Sequence, residues 1–519
     1  MNISMLLDMA ASGSPDRLAL GPARSGTTYA RLQRQARAGA AIIARAGASR
    51  LVFVAGNDEL FPTTLFATAL AGVPIVPLNY RLGRSQLAEL LAEQPEGALV
   101  VCDPRYRAVA AGSGAALRTT DQWWTEIDAA AESDGDAVPD LADPAGDGVA
   151  VLLYTSGTSA APKAAVLRHR HLTSYILGSV EFGSAAATDA TLVTVPPYHI
   201  AGIANALSNV YAGRRIVYLD RFDPAEWLQL ATAEGVTNAM LVPTMLARIV
   251  QYLDRDGSAA GPVPAVRTLA YGGARMPLPV IERALALFPE TGFVNAYGLT
   301  ETSSTIAVLS PEDHRGAVAS EDPQVRARLA SAGRPVPGLE VEIRDDSGAP
   351  VASGQAGELW VRGPQVSGEY AGGGSGTDAD GWFATKDLAR FDADGYLFVE
   401  GRLDDTIIRG GENISPADIE DVILRHPAVA ECAVVGVPDE EWGQRLVAAV
   451  VPRSDDGVDV AELREWLAAQ LRSSKTPDEV RVWTELPQTD TGKIVRRQVL
   501  QRFLDEPSGQ AADEVGAPA

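Results

Sequence analysis

The residues best suited to chemistry form one loop, Tyr154-Thr155-Ser156-Gly157-Thr158-Ser159-Ala160-Ala161-Pro162-Lys163-Ala164, which follows the apolar run 149–153. The loop offers hydroxyl groups from Thr155, Ser156, Thr158 and Ser159, backbone amides around Gly157, and the ammonium group of Lys163. Hydroxyls, amides and a positive charge are the groups that hold polyphosphates in proteins. The loop therefore indicates a nucleotide phosphate site, although such a turn standing alone is also typical of an ordinary surface loop.

Further motifs follow in a fixed order along the chain. They are Tyr297-Gly298-Leu299-Thr300-Glu301, Thr385-Lys386-Asp387, Gly401-Arg402-Leu403-Asp404-Asp405, Gly410-Gly411-Glu412-Asn413-Ile414-Ser415-Pro416 and Pro487-Gln488-Thr489-Asp490-Thr491-Gly492-Lys493-Ile494. Together with the loop, and over roughly residues 6–503, they resemble the adenylate-forming superfamily, which includes acyl-CoA synthetases, firefly luciferases and nonribosomal adenylation domains.

The resemblance implies a reaction in two halves: ATP activates a carboxylate to an acyl adenylate, and a thiol then displaces AMP. Glu301 is implied as the Mg²⁺ ligand, Thr300 as a contact of the α-phosphate, and Lys493 as the lysine that stabilises charge at that phosphate. A hard carboxylate oxygen suits Mg²⁺, and a fixed positive charge suits the developing pentavalent phosphate. The remaining nucleotide-binding residues implied are Thr155, Ser156, Gly157, Thr158, Ser159, Lys163, Gly272, Gly273, Ala274, Tyr297, and the ribose contacts Asp387 and Arg402.

The acid is expected to lie beside Pro196-Pro197-Tyr198-His199-Ile200-Ala201-Gly202, which resembles the segment that gates the acyl pocket in aryl- and acyl-CoA ligases. We predict that His199, Ala201 and Gly202 line this pocket. Their small neighbours, among them Ala204 and Ala206, predict room for a bulky apolar acid. No aspartate follows directly to grip an amino group, which favours a plain carboxylic acid over an amino acid.

The thiol acceptor implied by the resemblance is coenzyme A. Gly410, Gly411 and Trp442 match the turn and the aromatic side chain that line the pantetheine tunnel, and Arg81 matches an arginine near the phosphates of coenzyme A. After Lys475 the chain has Thr476-Pro477-Asp478, where some relatives have basic residues. The phosphopantetheine arm of a carrier protein therefore stays open as an alternative acceptor.

Three positions depart from the family pattern, because Ala160, Ala164 and Lys386 replace expected glycines. A Cβ in a left-handed loop costs roughly 1 kcal/mol or more, and all three changes fall around the phosphates. Three readings follow: an ATP-dependent acyl-CoA synthetase, an enzyme that makes the thioester only from preformed acyl-AMP, and a non-enzymatic acyl-adenylate-binding protein. The cofactors expected are ATP or AMP, Mg²⁺ and coenzyme A.

These residues must be positioned by more than one domain, since 519 residues are too many for a single core. Apolar strand runs alternate with helical patterns in the first half, which predicts an α/β fold with parallel sheets. We predict a large N-terminal domain of layered β-sheets and helices over residues 1–403, with a small β-rich subdomain from about Gly338. Residues 404–504 are expected to form a mobile α+β lid hinged near Asp404, residues 505–519 a disordered tail, and the glycine-rich residues 371–378 a mobile loop.

Composition narrows the setting of this chemistry. A formal net charge of −23 argues against nonspecific binding of nucleic acid or anionic membranes. No apolar run is long enough for a membrane span, and the N-terminus lacks the pattern of a signal peptide, so a cytoplasmic location is expected. Cys102 and Cys432 lie in separate apolar runs and are predicted to be buried free thiols.

Overall fold

The computed structural model describes residues 1–133, 146–155, 163–256, 265–410, 412–439, 441–454, 457–489 and 493–506. The chain divides into two compact units. Unit 1 comprises Met1–Gly273, Arg283–Glu342 and Trp360–Thr385. Unit 2 comprises Ala274–Glu282, Ile343–Leu359 and the described residues from Lys386 onward.

Unit 1 is built on two large β-sheets. Its strands are β1 Leu18–Leu20, β2 Thr27–Thr28, β3 Arg50–Val54, β4 Ile75–Pro77, β5 Ala98–Cys102, β6 Ala116–Thr119, β7 Val149–Thr155, β8 Lys163–Arg168, β9 Ala190–Val193, β10 Arg215–Tyr218, β11 Asn238–Leu241, β12 Thr268–Gly272, β13 Gly292–Leu299, β14 Ser304–Leu309 and β15 Arg334–Pro335. A six-stranded sheet has the order β6-β5-β3-β4-β7-β8, and a nine-stranded sheet has the order β15-β14-β13-β12-β11-β9-β10-β1-β2. Their interior strands are mostly parallel, whereas β7 with β8 and β13 with β14 are antiparallel pairs.

Helices occupy the connections between these strands. They are α1 Ser4–Gly13, α2 Tyr29–Arg45, α3 Leu60–Ala71, α4 Arg84–Ala92, α5 Arg107–Ala111, α6 Thr120–Glu132, α7 His169–Ser179, α8 Ile200–Ala212, α9 Pro224–Ala233, α10 Pro243–Asp256, α11 Leu278–Leu287, α12 Pro311–Ala319 and α13 Pro323–Ala327. Every residue of β5 is buried, as expected for a parallel strand covered on both faces. Thr28 begins α2 as an N-cap, because its hydroxyl accepts a hydrogen bond from the N–H of Arg31.

Four strands follow in the β-rich region that the sequence predicts: β16 Glu340–Arg344, β17 Gly357–Arg362, β18 Phe383–Phe391 and β19 Leu397–Arg402. The glycine-rich residues 371–378, expected to be a mobile loop, fold back into a hydrogen-bonded turn. The N–H of Ala371 donates to the carbonyl of Ala164 at 2.8 Å, and the segment pairs with its neighbours at Ser375 and Thr377. The segment therefore has main-chain partners that the sequence did not indicate, and its mobility stays a prediction.

The C-terminal part of unit 2 is a small α+β layer structure. It contains β20 Ile407–Arg409, β21 Glu412–Ile414, β22 Val429–Asp439, β23 Gly443–Pro452 and β24 Glu479–Val482, with α14 Pro416–Ile423, α15 Val460–Gln470 and α16 Arg496–Asp505. Strand β22 pairs antiparallel with β23, and β24 pairs parallel with β23. Cys432 and Val434 pack on the side of α14 and α15, whereas Ala433 and Val435 pack on the side of α16. Successive side chains of β22 therefore point to opposite faces of the sheet, and both faces are buried.

Two further sequence expectations can be compared with this fold. Cys102 and Cys432 are both buried free thiols, as predicted. Across the described part of the chain, no helix combines the length and the apolar character needed to cross a membrane.

Candidate functional site

The ends of the phosphate loop are held by the β7–β8 hairpin of unit 1. Thr155 is the last residue of β7 and lies opposite Lys163, the first residue of β8, while Tyr154 lies opposite Ala164. Ser156, Gly157, Thr158, Ser159 and Ala160 lie outside the described residues. Ala164 is buried inside β8, where a Cβ is normal, so its departure from glycine carries no backbone cost at this position.

A carboxylate stands beside this hairpin on the turn between β13 and β14. Thr300 and Glu301 occupy the turn Thr300–Thr302, which packs against β8. The turn is tight: Ser303 has a left-handed backbone with φ 55°, and the carbonyl oxygen of Ser304 lies so close to Gly298 that a Cβ there would collide with it. Unit 1 therefore brings Glu301 and the strand that begins at Lys163 together. Tyr297 lies on β13, close to the same turn.

The predicted adenine turn sits at the end of the neighbouring strand β12. A Cβ on Gly272 would come within 2.2 Å of the carbonyl oxygen of Ala296 on β13, and Gly273 has a φ of +84°. Both glycines are required by the backbone, the first by close approach and the second by its left-handed conformation. Ala274 is the first residue of the next stretch, which belongs to unit 2.

The predicted acyl segment leads into helix α8. His199 is the N-cap residue and is half-buried, and its ring lies 4.8 Å from the ring of Tyr198. A Cβ on Gly202 would collide with the carbonyl oxygen of Pro196 at 2.5 Å. Ala204 and Ala206 are buried, whereas Ala201 is half-exposed. The room that these small side chains predict for a bulky acid stays a prediction.

The two predicted ribose contacts form a cross-strand ion pair in unit 2. Asp387 on β18 lies opposite Arg402 on β19, and Arg402 Nη1 donates to Asp387 Oδ1 at 2.9 Å. The carboxylate is buried, with 6% of its side chain exposed, while the guanidinium is half-exposed. The preceding residue, Lys386, has a φ of 63°. The departure from glycine therefore places a lysine in the left-handed region at this point.

The predicted hinge residue Asp404 is exposed on the turn Leu403–Asp405 that follows β19. Its neighbour Asp405 lies 3.5 Å from Arg496 Nε, and burial raises the pKa of Asp405. Arg496 donates to both carboxylate oxygens of Glu420 and, at 3.1 Å, to the carbonyl of Val434. Burial disfavours the charged form of Arg496, but the Glu420 carboxylate stabilises that form more strongly. The pKa of the guanidinium is therefore raised.

The predicted thiol-binding residues of unit 2 cluster around an exposed indole. Gly410 has a φ of +57°, and its N–H donates to the carbonyl of Trp442 at 2.8 Å. Trp442 is 46% exposed, and the guanidinium of Arg409 lies 5.7 Å from the centroid of its ring. Arg409 also donates to Asp478 Oδ1 at 2.8 Å. Gly411 lies outside the described residues.

The last two predicted site residues lie on separate units. Arg81 is exposed on unit 1, with its guanidinium 5.5 Å from the ring centroid of Tyr80. Lys493 is exposed on unit 2, where its N–H donates to the hydroxyl of Thr489 at 3.0 Å and its carbonyl accepts from the N–H of Thr489 at 2.7 Å.

Sequence reasoning missed two features beside these residues. Tyr370 donates a hydrogen bond to Glu301, and Arg409 pairs with Asp478 next to Trp442. No motif marks Tyr370, which directly precedes the glycine-rich run. Asp478 appeared only as a departure from the basic pattern, whereas the structure shows it as the partner of the half-buried Arg409.

The chain has clear similarity to known proteins. It matches the family described as AMP-binding enzyme over residues 7–371 and the family described as AMP-binding enzyme C-terminal domain over residues 418–493. It is 36% identical to a feruloyl-CoA synthase of an Amycolatopsis species, covering 94% of this chain and 96% of the relative. It is 31% identical to an indoleacetate–CoA ligase of Aromatoleum aromaticum, covering 96% of this chain and 98% of the relative.

A solved structure with the same fold is the o-succinylbenzoate CoA synthetase of Bacillus subtilis in complex with its acyl-adenylate intermediate. It superposes with a TM-score of 0.80 at 28% identity, covering 95% of this chain and 97% of that one. The same enzyme has been solved with ATP and a magnesium ion, at a TM-score of 0.80 and 27% identity, covering 96% of this chain and 99% of that one.

Proposed function

The chain belongs to the AMP-binding enzyme family, in the CoA-synthetase branch of the adenylate-forming superfamily, and from this premise we propose that it joins a bulky, largely apolar carboxylic acid to coenzyme A through an acyl adenylate. It is thus an acid–thiol ligase. The proposed site rests on one observation. Within unit 1, the turn that bears Thr300 and Glu301 packs against the strand that begins at Lys163.

The residues of unit 1 fit the phosphates of ATP. We propose that Lys163 binds a phosphate oxygen, that the hydroxyl of Thr300 contacts the α-phosphate, and that Glu301 binds Mg²⁺. A carboxylate is a suitable donor for this hard cation, which, when bound, offsets the negative charge of the phosphates. The described residues contain no group of three or more His, Cys, Asp or Glu that could hold a metal by themselves. Phosphate oxygens and water would therefore complete the coordination.

Unit 2 supplies the remaining groups of the proposed mechanism. The buried carboxylate of Asp387, fixed by Arg402, is a suitable acceptor for the ribose hydroxyls. Lys493 provides positive charge at the α-phosphate while the carboxylate of the acid attacks and pyrophosphate leaves. In the second half-reaction the thiol attacks the acyl carbon and AMP leaves with the bonding electron pair. Gly410 and Trp442 line the path of the thiol, and Asp404 is the hinge between the two states.

The class of acid is suggested by the site and by the relatives together. The aromatic pair of Tyr198 and His199 stands at the start of α8, with the small side chain of Ala201 next to it. The names of two relatives specify aromatic acids, ferulic and indoleacetic acid. We therefore place aromatic acids first among the candidate substrates. The proposed setting is the cytoplasm, where ATP and coenzyme A are available.

A second candidate function is favoured by one observation, the left-handed backbone of Lys386 beside Asp387. This candidate makes the thioester from preformed acyl-AMP and is poor at adenylation. A carrier-protein phosphopantetheine is the alternative acceptor, because the acidic Asp478 stands where some relatives carry basic residues.

One experiment tests these proposals. Exchange of pyrophosphate into ATP is measured with ferulate, indoleacetate, decanoate and acetate, and thioester formation is measured with coenzyme A and with a phosphopantetheinylated carrier protein. The primary proposal predicts exchange with an aromatic acid and its CoA thioester as product. Thioester formation from synthetic acyl-AMP without exchange would favour the second candidate, and a preference for acetate would contradict the proposed acid class. Lys493→Ala is expected to lose exchange while it retains thioester formation from acyl-AMP.

A further inference from the structure

The side chain of Glu301 is held by a residue that sequence reasoning did not single out. The hydroxyl of Tyr370 donates to Glu301 Oε1 at 2.6 Å, and both side chains are half-buried. Hydrogen bonds between a hydroxyl and a carboxylate at 2.5–2.7 Å belong to the strong, charge-assisted class. The main chain is held as well, because the carbonyl of Glu301 accepts from the N–H groups of Ser367 at 2.7 Å and Gly368 at 3.3 Å.

The segment that carries Tyr370 is itself attached to β8. The N–H of Val166 donates to the carbonyl of Glu369 at 2.8 Å, and the N–H of Ala371 donates to the carbonyl of Ala164 at 2.8 Å. Arg168 adds a bidentate bond to the Glu369 carboxylate, with distances of 2.9 and 2.7 Å. Residues 367–371 thus link the strand that begins at Lys163 to the turn that carries Glu301.

We infer that Tyr370 is a positioning residue for adenylation: it fixes one carboxylate oxygen of Glu301 and leaves the other oriented for Mg²⁺ and its nucleotide. The inference rests on the proposed function of Glu301. A carboxylate has two oxygens with about four acceptor sites, so the Tyr370 hydroxyl orients the group without using up its capacity to bind a cation. The thiol-transfer half-reaction does not use this arrangement, since pyrophosphate has already left.

The test is Tyr370→Phe in the full chain, which removes the hydroxyl and retains the ring. The binding of ATP is measured by calorimetry with Mg²⁺ and with EDTA, and exchange is measured as a function of Mg²⁺ concentration. The Mg²⁺ concentration for half-maximal exchange is expected to rise about threefold to tenfold. This change is smaller than the loss of a fully buried hydrogen bond to a charged group would give, because both partners are partly exposed. ATP binding in EDTA and thioester formation from synthetic acyl-AMP in EDTA should change less than about twofold, since neither involves the metal.

Two comparisons make the result decisive. Tyr175→Phe is the matched control, because the Tyr175 hydroxyl lies 3.3 Å from the neutral hydroxyl of Thr305 in the same unit; it should leave the Mg²⁺ dependence unchanged. In a Glu301→Gln background, Tyr370→Phe should have little further effect, since the pair acts as one unit.

The outcomes separate this inference from the proposed function. An unchanged Mg²⁺ dependence in Tyr370→Phe overturns the inference, as does an equal loss of thioester formation in EDTA, which would assign Tyr370 to folding. Absence of exchange in the unaltered protein with every acid would count against adenylation, and the two ATP titrations would still decide whether Tyr370 supports metal-dependent binding.

Discussion

The left-handed backbone of Lys386 is predicted to lower the stability of the protein. Among the described residues it is one of three non-glycine residues with positive φ, at 63°, the others being Ser303 and Ser304. Lys386 is exposed, whereas Thr385 and Asp387 on either side are 3% and 4% exposed. Its buried neighbours fix the backbone, so the left-handed conformation is imposed on a side chain that itself lies in solvent.

The magnitude follows from two opposing terms. A left-handed conformation costs an L-residue other than glycine roughly 1–2 kcal/mol. Replacing lysine by glycine removes this cost, but it makes the unfolded chain more flexible and so gives back about 0.5–1 kcal/mol. Lys386→Gly should therefore stabilise the protein by about 0.5–1 kcal/mol, which raises the unfolding midpoint by about 1–4 °C for a unit of this size.

The assay is scanning calorimetry of Lys386→Gly with Lys386→Ala as the control. Alanine removes the ammonium group and keeps the Cβ, so its midpoint should stay within about 1 °C of that of the unaltered protein. The difference between glycine and alanine then isolates the backbone term. A glycine variant that is no more stable than the alanine variant would refute the reasoning, because the left-handed conformation would then carry no net cost.

Three further predictions concern stability and thiol transfer. Arg496→Met should destabilise the protein by about 2–4 kcal/mol in urea unfolding, because it leaves the 11% exposed carboxylate of Glu420 without its cation. Arg315→Met is the control: it breaks an exposed pair with Glu312 and should cost less than about 0.5 kcal/mol. Burial lowers the pKa of both His169 and His171 to about 4, so each should contribute a loss of up to about 3 kcal/mol as pH drops from about 6.5 to 4, since the unfolded chain binds the proton first. His169→Gln should remove its own share of this loss and leave that of His171, and an unchanged profile contradicts the assignment. Trp442→Ala should raise the KM for coenzyme A by roughly tenfold and spare pyrophosphate exchange, since truncating an aromatic contact of a bound group typically costs 1–2 kcal/mol; an equal loss of both activities would contradict its assignment to the thiol path.

The sequence predicts the elements well because they depend on local pattern, whereas the roles assigned to the motif residues stay predictions. Residues 51–54 of β3 and all of β5 are apolar, as parallel strands covered on both faces must be. The hairpins of β7 with β8 and of β18 with β19 bring their motif residues opposite each other. The pairing of Asp387 with Arg402 follows from strand register, which the motifs themselves do not contain. Tyr370 and Glu301 are 69 residues apart, so nothing local connects them.

The three departures from glycine show why a motif has to be interpreted with its backbone. Ala164 is an ordinary buried strand residue, paired with Tyr154, and its Cβ fits where it lies. Lys386 has the left-handed backbone for which glycine is suited, so only this one of the two described departures carries a conformational cost. Among the described departures, Lys386 beside the Asp387–Arg402 pair, and not Ala164, is therefore the physical ground for weakened adenylation. Any such weakening should appear in how the ribose is held, and Lys386→Gly, rather than Ala164→Gly, is the substitution that should relieve it.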